Sequence, residues 1–260
     1  MTANLRYTAA PSRREEILRR VRDTGYVSSG ALAAELAVSE MTVRRDLHKL
    51  AEAGVVRLVH GGASLPDGAG PGSPFPDRER HGRPAKAAIG AAAAERLAAG
   101  TTIAIDSGTT TLELARRLPA GLPLTVVTHS LAALAMLINR ADLTVIGLGG
   151  LYHESTRSFG GPETWAAAGR LRIDTLYLSA SALDRRGVYC ATPFEAETKR
   201  ALIAVADRVV LLADASKPHA SAPILTCPYT DIDALITDTT IDPAALQHLG
   251  AAIPDITLAR

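Results

Sequence analysis

The stretch Val-Ser-Glu-Met-Thr-Val-Arg-Arg-Asp-Leu, residues 38–47, decides how the first part of this chain folds. Ser39 is a favourable N-cap, because its hydroxyl can accept a hydrogen bond from an unpaired amide of the first helical turn. The apolar residues Val43, Leu47 and Leu50 recur at helical spacing and predict one buried face. The opposite face is polar and basic, and with its flanks it carries Met41, Thr42, Arg44, Arg45, His48 and Lys49.

Such a face is typical of two kinds of helix. One is an ordinary amphipathic surface helix, and the other enters the DNA major groove, where arginine bonds bidentately to guanine. The preceding sequence favours the second. Residues 12–23 predict a first helix, Gly25 breaks it, and Ser28 or Ser29 caps a short second helix. Only three residues then separate the second helix from the third, which predicts a helix-turn-helix at about residues 29–48.

A short strand pair is predicted directly after the third helix. Beyond Gly54, residues of opposite faces alternate as far as His60, and two glycines then turn the chain. The module over residues 1–64 is therefore predicted to be a winged helix-turn-helix. It holds 10 basic and 7 acidic residues, and the whole chain has a net charge of +1. Because this excess is small, we expect two or more such modules to bind DNA together.

Composition restricts the remaining possibilities. The 260 residues suit one small and one medium domain, and with 4% aromatic residues the core must be aliphatic. Cys190 and Cys227 lack the spacing of a metal or disulfide site, so we expect no metal, no cofactor and a reduced, cytoplasmic setting. The N-terminus has no apolar signal core, and no apolar run approaches membrane-spanning length, so neither export nor a membrane role is expected.

The chain changes character after the winged module. Residues 65–82 are rich in glycine and proline and predict a linker. From residue 83 to 260, short apolar strands alternate with helices, starting with an alanine-rich helix that opens at Lys86. Strands are predicted at residues 102–106, 124–127, 143–147, 175–179, 209–213 and 234–237. The alternation predicts a mostly parallel α/β sheet.

Three loops follow the first three predicted strands, at the end of the sheet where α/β proteins bind ligands. The first offers hydroxyls, a glycine and the free amides of a helix start, which together cradle a phosphate. Thr128-His129-Ser130 repeats this arrangement, and Gly149-Gly150 lets the backbone approach a ligand. The alternative is that these loops have only the ordinary composition of turns. The candidates in the first loop are Asp106, Ser107, Gly108, Thr109 and Thr110.

Charged residues later in the chain are candidates for the same pocket. Arg157 lies in a polar loop, Asp184 ends a strand, and Lys217 follows another strand. Glu195 and Lys199 are spaced as an i, i+4 pair on one helix face. The alternative for this pair is a solvated contact on the helix surface.

The chain resembles the DeoR-type family of bacterial transcriptional regulators over nearly its whole length. The resemblance rests first on residues 38–47 and on the pattern Gly54, Arg57 and His60-Gly61-Gly62-Ala63. It also rests on residues 106–110, Gly149-Gly150, Asp184, Glu195 with Lys199, and Asp214-Ala-Ser-Lys217.

The resemblance implies a repressor of carbohydrate or polyol metabolism genes that binds double-stranded operator DNA as a homodimer or homotetramer. Its α/β domain is implied to look like ribose-phosphate isomerase and to bind a phosphorylated sugar, which releases the operator. An activator of the same family is an open alternative.

Roles on the DNA follow from this hypothesis. Arg45, with Arg44 or Thr42, is expected to read bases beside Ser39 and Met41, while His48, Lys49 and Arg57 hold phosphates. Alternatively, one of the two arginines pairs with Asp46, which the helical wheel places toward the core.

Two departures from related sequences alter the expectations. His129 stands where the family often has Asn or Asp, which predicts a different sugar or pH-sensitive binding near neutrality. The alternative is that its side chain points outward and only the backbone matters. The isomerases carry an Asp-Glu pair in their catalytic loop, and this chain has Ala182-Leu183-Asp184. We therefore expect no enzyme, the alternative being an active sugar-phosphate isomerase or transferase with a DNA-binding appendage.

Overall fold

The computed structural model of the chain describes residues 10–24, 26–59, 61–64 and 73–260. Gly25, His60 and the first part of the predicted linker, residues 65–72, lie outside this description.

The first module is a winged helix-turn-helix, as predicted. Ser28 and Ser39 both act as N-caps, accepting hydrogen bonds from the amides of Ala31 at 3.5 Å and Thr42 at 3.2 Å. Its strands form one antiparallel sheet in the order β1-β3-β2, and β1 is the member that sequence patterning missed. The elements are α1 (Ala10–Thr24), β1 (Tyr26–Ser28), α2 (Ser29–Glu35), α3 (Glu40–Glu52), β2 (Arg57–Val59) and β3 (Gly62–Ser64).

The three helices pack around a small aliphatic core in which α3 buries Val43, Leu47 and Leu50. Asp46 is buried on the same face, and its carboxylate accepts a hydrogen bond from Arg13 of α1 at 2.5 Å. The alternative pairing of Asp46 with a recognition-helix arginine is therefore wrong. Because a buried carboxylate needs a charged partner, α1 supplies one and leaves the arginines of α3 outside the core.

The second part of the chain is an α/β domain of strands and helices in alternation. Its first half contains α4 (Phe75–Arg80), α5 (Arg83–Ala94), β4 (Thr102–Ile105), α6 (Thr109–Ala115), β5 (Leu124–Thr128), α7 (Leu131–Leu137), β6 (Leu143–Gly147), β7 (Leu151–His153), β8 (Ser158–Gly160) and α8 (Pro162–Ala168). Its second half contains β9 (Thr175–Ser179), β10 (Ala182–Asp184), β11 (Gly187–Cys190), α9 (Pro193–Ile203), β12 (Val209–Leu212), β13 (Ile224–Cys227), β14 (Ala234–Asp238), α10 (Pro243–Gly250) and β15 (Asp255–Ala259).

Seven parallel strands form the main sheet in the order β15-β14-β12-β9-β4-β5-β6. The chain runs from β4 outward through β5 to β6, and then returns to the other side of β4 to place β9. The strand order thus reverses between β4 and β9, and such a switch point opens a crevice at the carboxyl ends of the strands. The edge strand β15 and the β7–β8 hairpin were not predicted from the sequence. Of the antiparallel sheet of β10, β11 and β13, the sequence predicted only a strand that ends at Asp184.

The predicted linker contains a helix. Helix α4 lies within residues 65–82, and its Phe75 is 1% exposed in the core that Leu112 and Leu114 of α6 also enter. This segment is therefore packed onto the α/β domain, because a buried phenylalanine anchors it. Helix α6 starts at Thr109, so its first turn is made of hydroxyl residues. Among the described residues, no helix has the length and apolar character needed to cross a membrane.

Candidate functional site

The outer face of α3 presents the residues predicted to contact DNA. Met41 is 72% exposed, and Arg44, Arg45, His48 and Lys49 are exposed with it. Arg44 pairs with Glu40 one turn earlier at 2.7 Å, whereas Arg45 has no ion pair within the described part of the chain. The hydroxyls of Ser39 and Thr42 are 2.9 Å apart and cap the helix start. The face is therefore an exposed, mostly polar surface, on which Arg45 is available to bind DNA.

Arg57, the last of the predicted DNA contacts, is placed differently. It lies on strand β2 of the wing, and its guanidinium pairs with the carboxylate of Asp77 on α4. Asp77 also pairs with Arg80 at 2.6 Å. In this conformation the charge of Arg57 is compensated by the α/β domain, so the two parts of the chain are joined through α4.

A cavity opens at the switch point between β4 and β9. The loop after β4 forms one wall, and the loop after β9 forms the facing wall. Charged side chains from three helices and one further loop complete it. The lining residues are Arg78, Lys86, Ser107, Gly108, Thr109, Thr110, Ser179, Ala180, Ser181, Glu195, Lys199 and Lys217. We call this the effector cavity, after the role that the sequence predicts for its residues.

Gly108 lets the two walls meet. A Cβ on this residue would lie 2.2 Å from the hydroxyl oxygen of Ser179, so only glycine allows so close an approach. Gly108 is also the N-cap of α6 and provides no side-chain hydrogen bond to the helix start. The first amides of α6 therefore remain available to an anion in the cavity.

Beneath this wall, Asp106 and Lys199 form a buried ion pair. Lys199 also donates to the carbonyl oxygen of Ser179 at 3.1 Å, and Asp106 accepts from the amide of Ser179 at 2.9 Å. Burial raises the pKa of Asp106, but Lys199, His129 and the hydrogen bonds outweigh it, so that the pKa falls to about 2. The charge of Lys199 is thus largely used to join β4, β9 and α9.

The alternative that Glu195 and Lys199 form a solvated contact on the helix surface is wrong. Glu195 is 8% exposed and Lys199 is 3% exposed, and both line the cavity. Glu195 is held by Thr192, the N-cap of α9, whose hydroxyl lies 3.2 Å from the carboxylate. Within the described residues it is the only carboxylate that lines the cavity.

His129 is buried behind the cavity and does not line it. Its Nε2 lies 3.6 Å from the free carboxylate oxygen of Asp106. Burial lowers the pKa of His129 to about 4, since desolvation outweighs the opposing effect of Asp106, and Lys199 lowers it further. The ring is therefore neutral near pH 7. The alternative of an outward-pointing side chain is therefore wrong. A neutral, buried ring gives no pH-sensitive binding through His129 near neutrality, and an effect on which sugar is accepted stays a prediction.

Other predicted effector residues support the structure and lie outside the cavity lining. The hydroxyl of Thr128 donates to the carbonyl oxygen of Ile105 at 2.6 Å, and Ser130 caps α7. Gly150 has a φ of 140°, and a Cβ there would lie 2.2 Å from the hydroxyl of Thr164. Its neighbour Gly149 accepts a hydrogen bond from the same threonine. These residues shape turns.

Arg157 and Asp184 are also outside the cavity. The guanidinium of Arg157 lies 5.7 Å from the ring centroid of Phe75, in a cation–π contact. Asp184 is exposed and accepts a hydrogen bond from the amide of Arg186 within its own turn. The sequence prediction treated the first three strands as the site, whereas the crevice opens between β4 and the fourth strand of the sheet along the chain, β9.

Two cations of the cavity were missed at the sequence level. Arg78 comes from α4, inside the predicted linker, and Lys86 comes from α5. Lys86 donates to the carbonyl oxygens of His81, at 2.7 Å, and Arg78. Burial lowers the pKa of Lys86 to about 7, and the nearby charge of Lys217 lowers it further. An anion in the cavity would restore its proton.

The scarcity of lysine in the sequence is the signal that could have identified Lys86 as a candidate binding residue. The chain has only four lysines against 24 arginines. Three of the four, Lys86, Lys199 and Lys217, line the cavity, and the fourth, Lys49, lies on α3. All four lysines are therefore placed at the two candidate binding surfaces, where arginines accompany them.

The arrangement suits an anion bearing hydroxyl groups. Free helix amides, serine and threonine hydroxyls and four cationic side chains face one carboxylate. Combined with the winged helix-turn-helix, this defines a DNA-binding transcriptional regulator with a sensor domain.

Comparison with known proteins supports this class of protein. Residues 13–68 match the DeoR-like helix-turn-helix domain, and residues 82–239 match the DeoR C terminal sensor domain. The chain belongs to the DeoR family of transcriptional regulators. Because this is a family of DNA-binding regulators, the protein is not an enzyme, and the alternative of an active isomerase or transferase is wrong.

The similarity to several known proteins extends over nearly the full chain. The transcriptional repressor AccR of Agrobacterium fabrum is 33% identical over 90% of this chain and 91% of its own. The glycerol-3-phosphate regulon repressor of Escherichia coli is 32% identical over 91% and 94%. The L-fucose operon activator of Haemophilus influenzae is 31% identical over 90% and 94%.

Solved structures show more distant similarity, in fold alone. Ribose 5-phosphate isomerase A of Methanocaldococcus jannaschii aligns with a TM-score of 0.37 and 15% identity over 51% of this chain and 52% of its own. Translation initiation factor eIF-2B of Pyrococcus horikoshii OT3 aligns with a TM-score of 0.44 and 12% identity over 87% and 86%.

The buried His129 makes stability depend on pH. The unfolded chain protonates this histidine below its ordinary pKa of 6.5, whereas the folded chain keeps it neutral down to about 4. Stability should therefore fall as the pH drops from 6.5 to 4, by about 3 kcal/mol in total. Urea unfolding of the sensor domain in the full chain, followed by circular dichroism at several pH values, should show a smaller slope in His129→Asn.

The exposed His248 offers a matched control, and His248→Asn should keep the slope of the unmodified protein. An identical slope in the two variants would contradict the assignment.

Proposed function

We propose that the protein is a cytoplasmic repressor of carbohydrate or polyol metabolism genes that a phosphorylated sugar or polyol releases from its operator. The effector cavity is the observation that carries this proposal. It brings free helix amides and four cations together at the switch point of the sheet. Several relatives are named as repressors, among them the glycerol-3-phosphate regulon repressor of Escherichia coli.

The cations are poised for an added anion. Burial lowers the pKa of Lys86 to about 7, and its two carbonyl acceptors can also be served by the neutral amine. Lys217 is 3.6 Å from Asp214 and remains half-buried at the cavity wall. A phosphate dianion would pair with these partly desolvated groups, and such charge-assisted hydrogen bonds are stronger than neutral ones.

The test of this function is release from DNA. Lys217→Ala should keep its affinity for a DNA site selected from a randomised library, because the residue lines the cavity and is not part of α3. It should lose release by phosphorylated sugars, measured by fluorescence anisotropy with the unphosphorylated parents in parallel. A ligand at 100 times its dissociation constant should also stabilise the unmodified protein by about 2.7 kcal/mol in thermal unfolding.

Arg172→Ala provides the control, because this arginine is exposed on the sensor domain outside the cavity. Release of Lys217→Ala by the same sugars at the same concentrations would refute the placement of the effector.

On DNA, we propose that a homodimer or homotetramer places copies of α3 in the major grooves of repeated half-sites. Arg45, with Thr42 or Arg44, reads bases, and His48 and Lys49 contact phosphates. Arg45 is favoured as the main base contact because Arg44 is already paired with Glu40.

Arg45→Ala should weaken binding to the selected site by about 5- to 150-fold, since an arginine–guanine contact is worth about 1–3 kcal/mol. Binding to random DNA should fall much less. Anisotropy titrations of both DNAs would measure the difference, and circular dichroism would check folding. Arg170→Ala, an exposed arginine of the sensor domain, is the control. Equal losses on both DNAs would assign Arg45 to the phosphate backbone.

Helix α4 is the proposed connection between cavity and DNA-binding module. Adjacent residues of this helix face different parts of the molecule: Asp77 pairs with Arg57 of the wing, and Arg78 lines the effector cavity. Phe75 fixes the same helix against α6, whose first turn forms the cavity wall. An effector that binds Arg78 therefore acts on the helix that holds Arg57. The effector shifts the equilibrium between an arrangement that binds DNA and one that does not, by its difference in affinity for the two.

Asp77→Ala should tighten basal DNA binding several-fold, because Arg57 is freed to bind a phosphate. It should also reduce the ratio of affinities measured without and with a releasing sugar phosphate. Arg80→Ala removes the other partner of Asp77 and leaves the contact with Arg57, so it should behave like the unmodified protein. If both variants kept the full ratio, the contact would have no part in signalling.

Activation in place of repression is the second candidate, favoured by the L-fucose operon activator among the relatives. A reporter gene behind the selected DNA site, in cells with and without the regulator, separates the two. Expression that rises on deletion of the regulator supports repression, and expression that falls supports activation.

A further inference from the structure

Met41 is an apolar side chain on a surface that is otherwise polar. It is the second residue of α3, and at 72% it is the most exposed large apolar side chain among the described residues. The buried face of α3 is made by Val43, Leu47 and Leu50, and Met41 lies outside the core that these residues enter. Packing within the winged module therefore does not account for a methionine at this position.

The neighbours of Met41 are engaged with one another and leave it uncovered. Glu40 pairs with Arg44 at 2.7 Å, and the hydroxyls of Ser39 and Thr42 are 2.9 Å apart. Covering an exposed apolar side chain with another apolar group is favourable, because apolar surface is removed from water. Met41 thus gains free energy from any partner that offers such a group at this face.

Its place in the helix is that of a base-reading residue. In helix-turn-helix complexes the N-terminal residues of the recognition helix contact the edges of bases. Met41 lies in the first turn of α3, where Ser39 caps the helix by accepting from the amide of Thr42. Arg45 follows four residues later and therefore lies on the same face, one turn further along. The two side chains enter a groove together.

The major groove offers such a side chain one kind of partner. Every base pair presents hydrogen-bond donors and acceptors there, and thymine adds the C5-methyl group. A thioether has no donor and is a weak acceptor, so methionine cannot distinguish bases by hydrogen bonds. Its flexible, polarisable chain can instead adapt to an apolar surface. The methyl group of thymine is therefore the feature of a base pair that suits Met41.

We propose that Met41 is a specificity-determining residue that packs on the methyl group of a thymine in the operator. This inference rests on the proposed function, which places α3 in the major groove, and it adds a second base to the guanine read by Arg45. Four helical residues span about 6 Å and successive base pairs are about 3.4 Å apart, so the thymine lies within about two base pairs of that guanine.

Deoxyuridine tests for the methyl contact, because it pairs with adenine as thymidine does and lacks the methyl group. Each thymine of the selected DNA site is replaced in turn, and the affinity of the full chain is measured by fluorescence anisotropy. One replacement in a half-site should weaken binding by about 3- to 5-fold, the effect of withdrawing one methyl group from an apolar contact. That position should lie beside the guanine whose replacement Arg45→Ala no longer senses.

Met41→Gln applies the same test to the protein. Glutamine has nearly the helix propensity of methionine and position 41 is exposed, so α3 should fold unchanged, as circular dichroism would show. The variant should bind the thymine and deoxyuridine sites equally, while its affinity for random DNA stays the same. Met41→Leu keeps an apolar side chain and should retain a preference for thymine. A merely structural role of Met41 would weaken binding to all of these DNAs together.

Ile138→Gln is the matched control. Ile138 is 68% exposed and caps the end of α7 in the sensor domain, so it resembles Met41 in exposure and apolar character without belonging to the DNA-binding module. This variant should keep both its affinity for the selected site and the full preference for thymine over deoxyuridine.

Two failures are distinguishable. If the selected site binds and no deoxyuridine weakens it, or if Met41→Gln keeps the preference for thymine, the methyl contact is refuted and the DNA-binding function stands. If the full chain enriches no sequence from the library, the proposed function on DNA fails, and the role of Met41 fails with it.

Discussion

The buried carboxylate of Asp106 is the constraint on which the sensor domain depends. Asp106 directly follows β4, and its carboxylate accepts a hydrogen bond from the amide of Ser179 at the end of β9 and pairs with Lys199 of α9. Parallel strands that lie side by side at a switch point are far apart in sequence, so something must hold their ends in register. A buried ion pair holds the strand ends firmly, because burying either charge without its partner would be strongly unfavourable. The cavity wall is built on this pair, and Gly108 closes it against Ser179.

The DNA-binding module could be predicted in detail because its signals are local. A serine cap, a three-residue turn and a helical apolar stripe all lie within residues 28–50, and each has one structural meaning. Six of the seven strands of the parallel sheet were also predicted nearly to the residue, as with Leu143–Gly147 and Thr175–Ser179, whereas β15 was not predicted. Short apolar segments between helices are distinctive. Strand β1 was missed because three residues carry too little pattern.

The effector cavity could be predicted only in part, because its second wall depends on strand order. Local patterning shows that Ser107 to Thr110 follow a strand, but not that β9 lies beside β4. Because consecutive strands were treated as neighbours, His129 and Gly150 were predicted to line the cavity, whereas both residues support the fold. Arg78 was hidden for another reason: a proline- and glycine-rich segment contains a helix that is held by one buried phenylalanine. Long-range packing, which sequence periodicity does not encode, decides both cases.

In the proposed mechanism, the desolvated cations connect effector binding with DNA binding. Arg78 and Lys86 are kept partly out of water without a carboxylate of their own, which lowers the pKa of each. That unfavourable state is relieved when an anion arrives, so the free energy of binding depends on where α4 and α5 stand. Because Asp77 on the same helix holds Arg57, any displacement of α4 that improves the contact of Arg78 with the anion also changes the charge that the wing presents to DNA. Under the proposed function, neighbouring side chains on one short helix thus make effector binding and DNA binding interdependent, with no need for a long chain of intermediates.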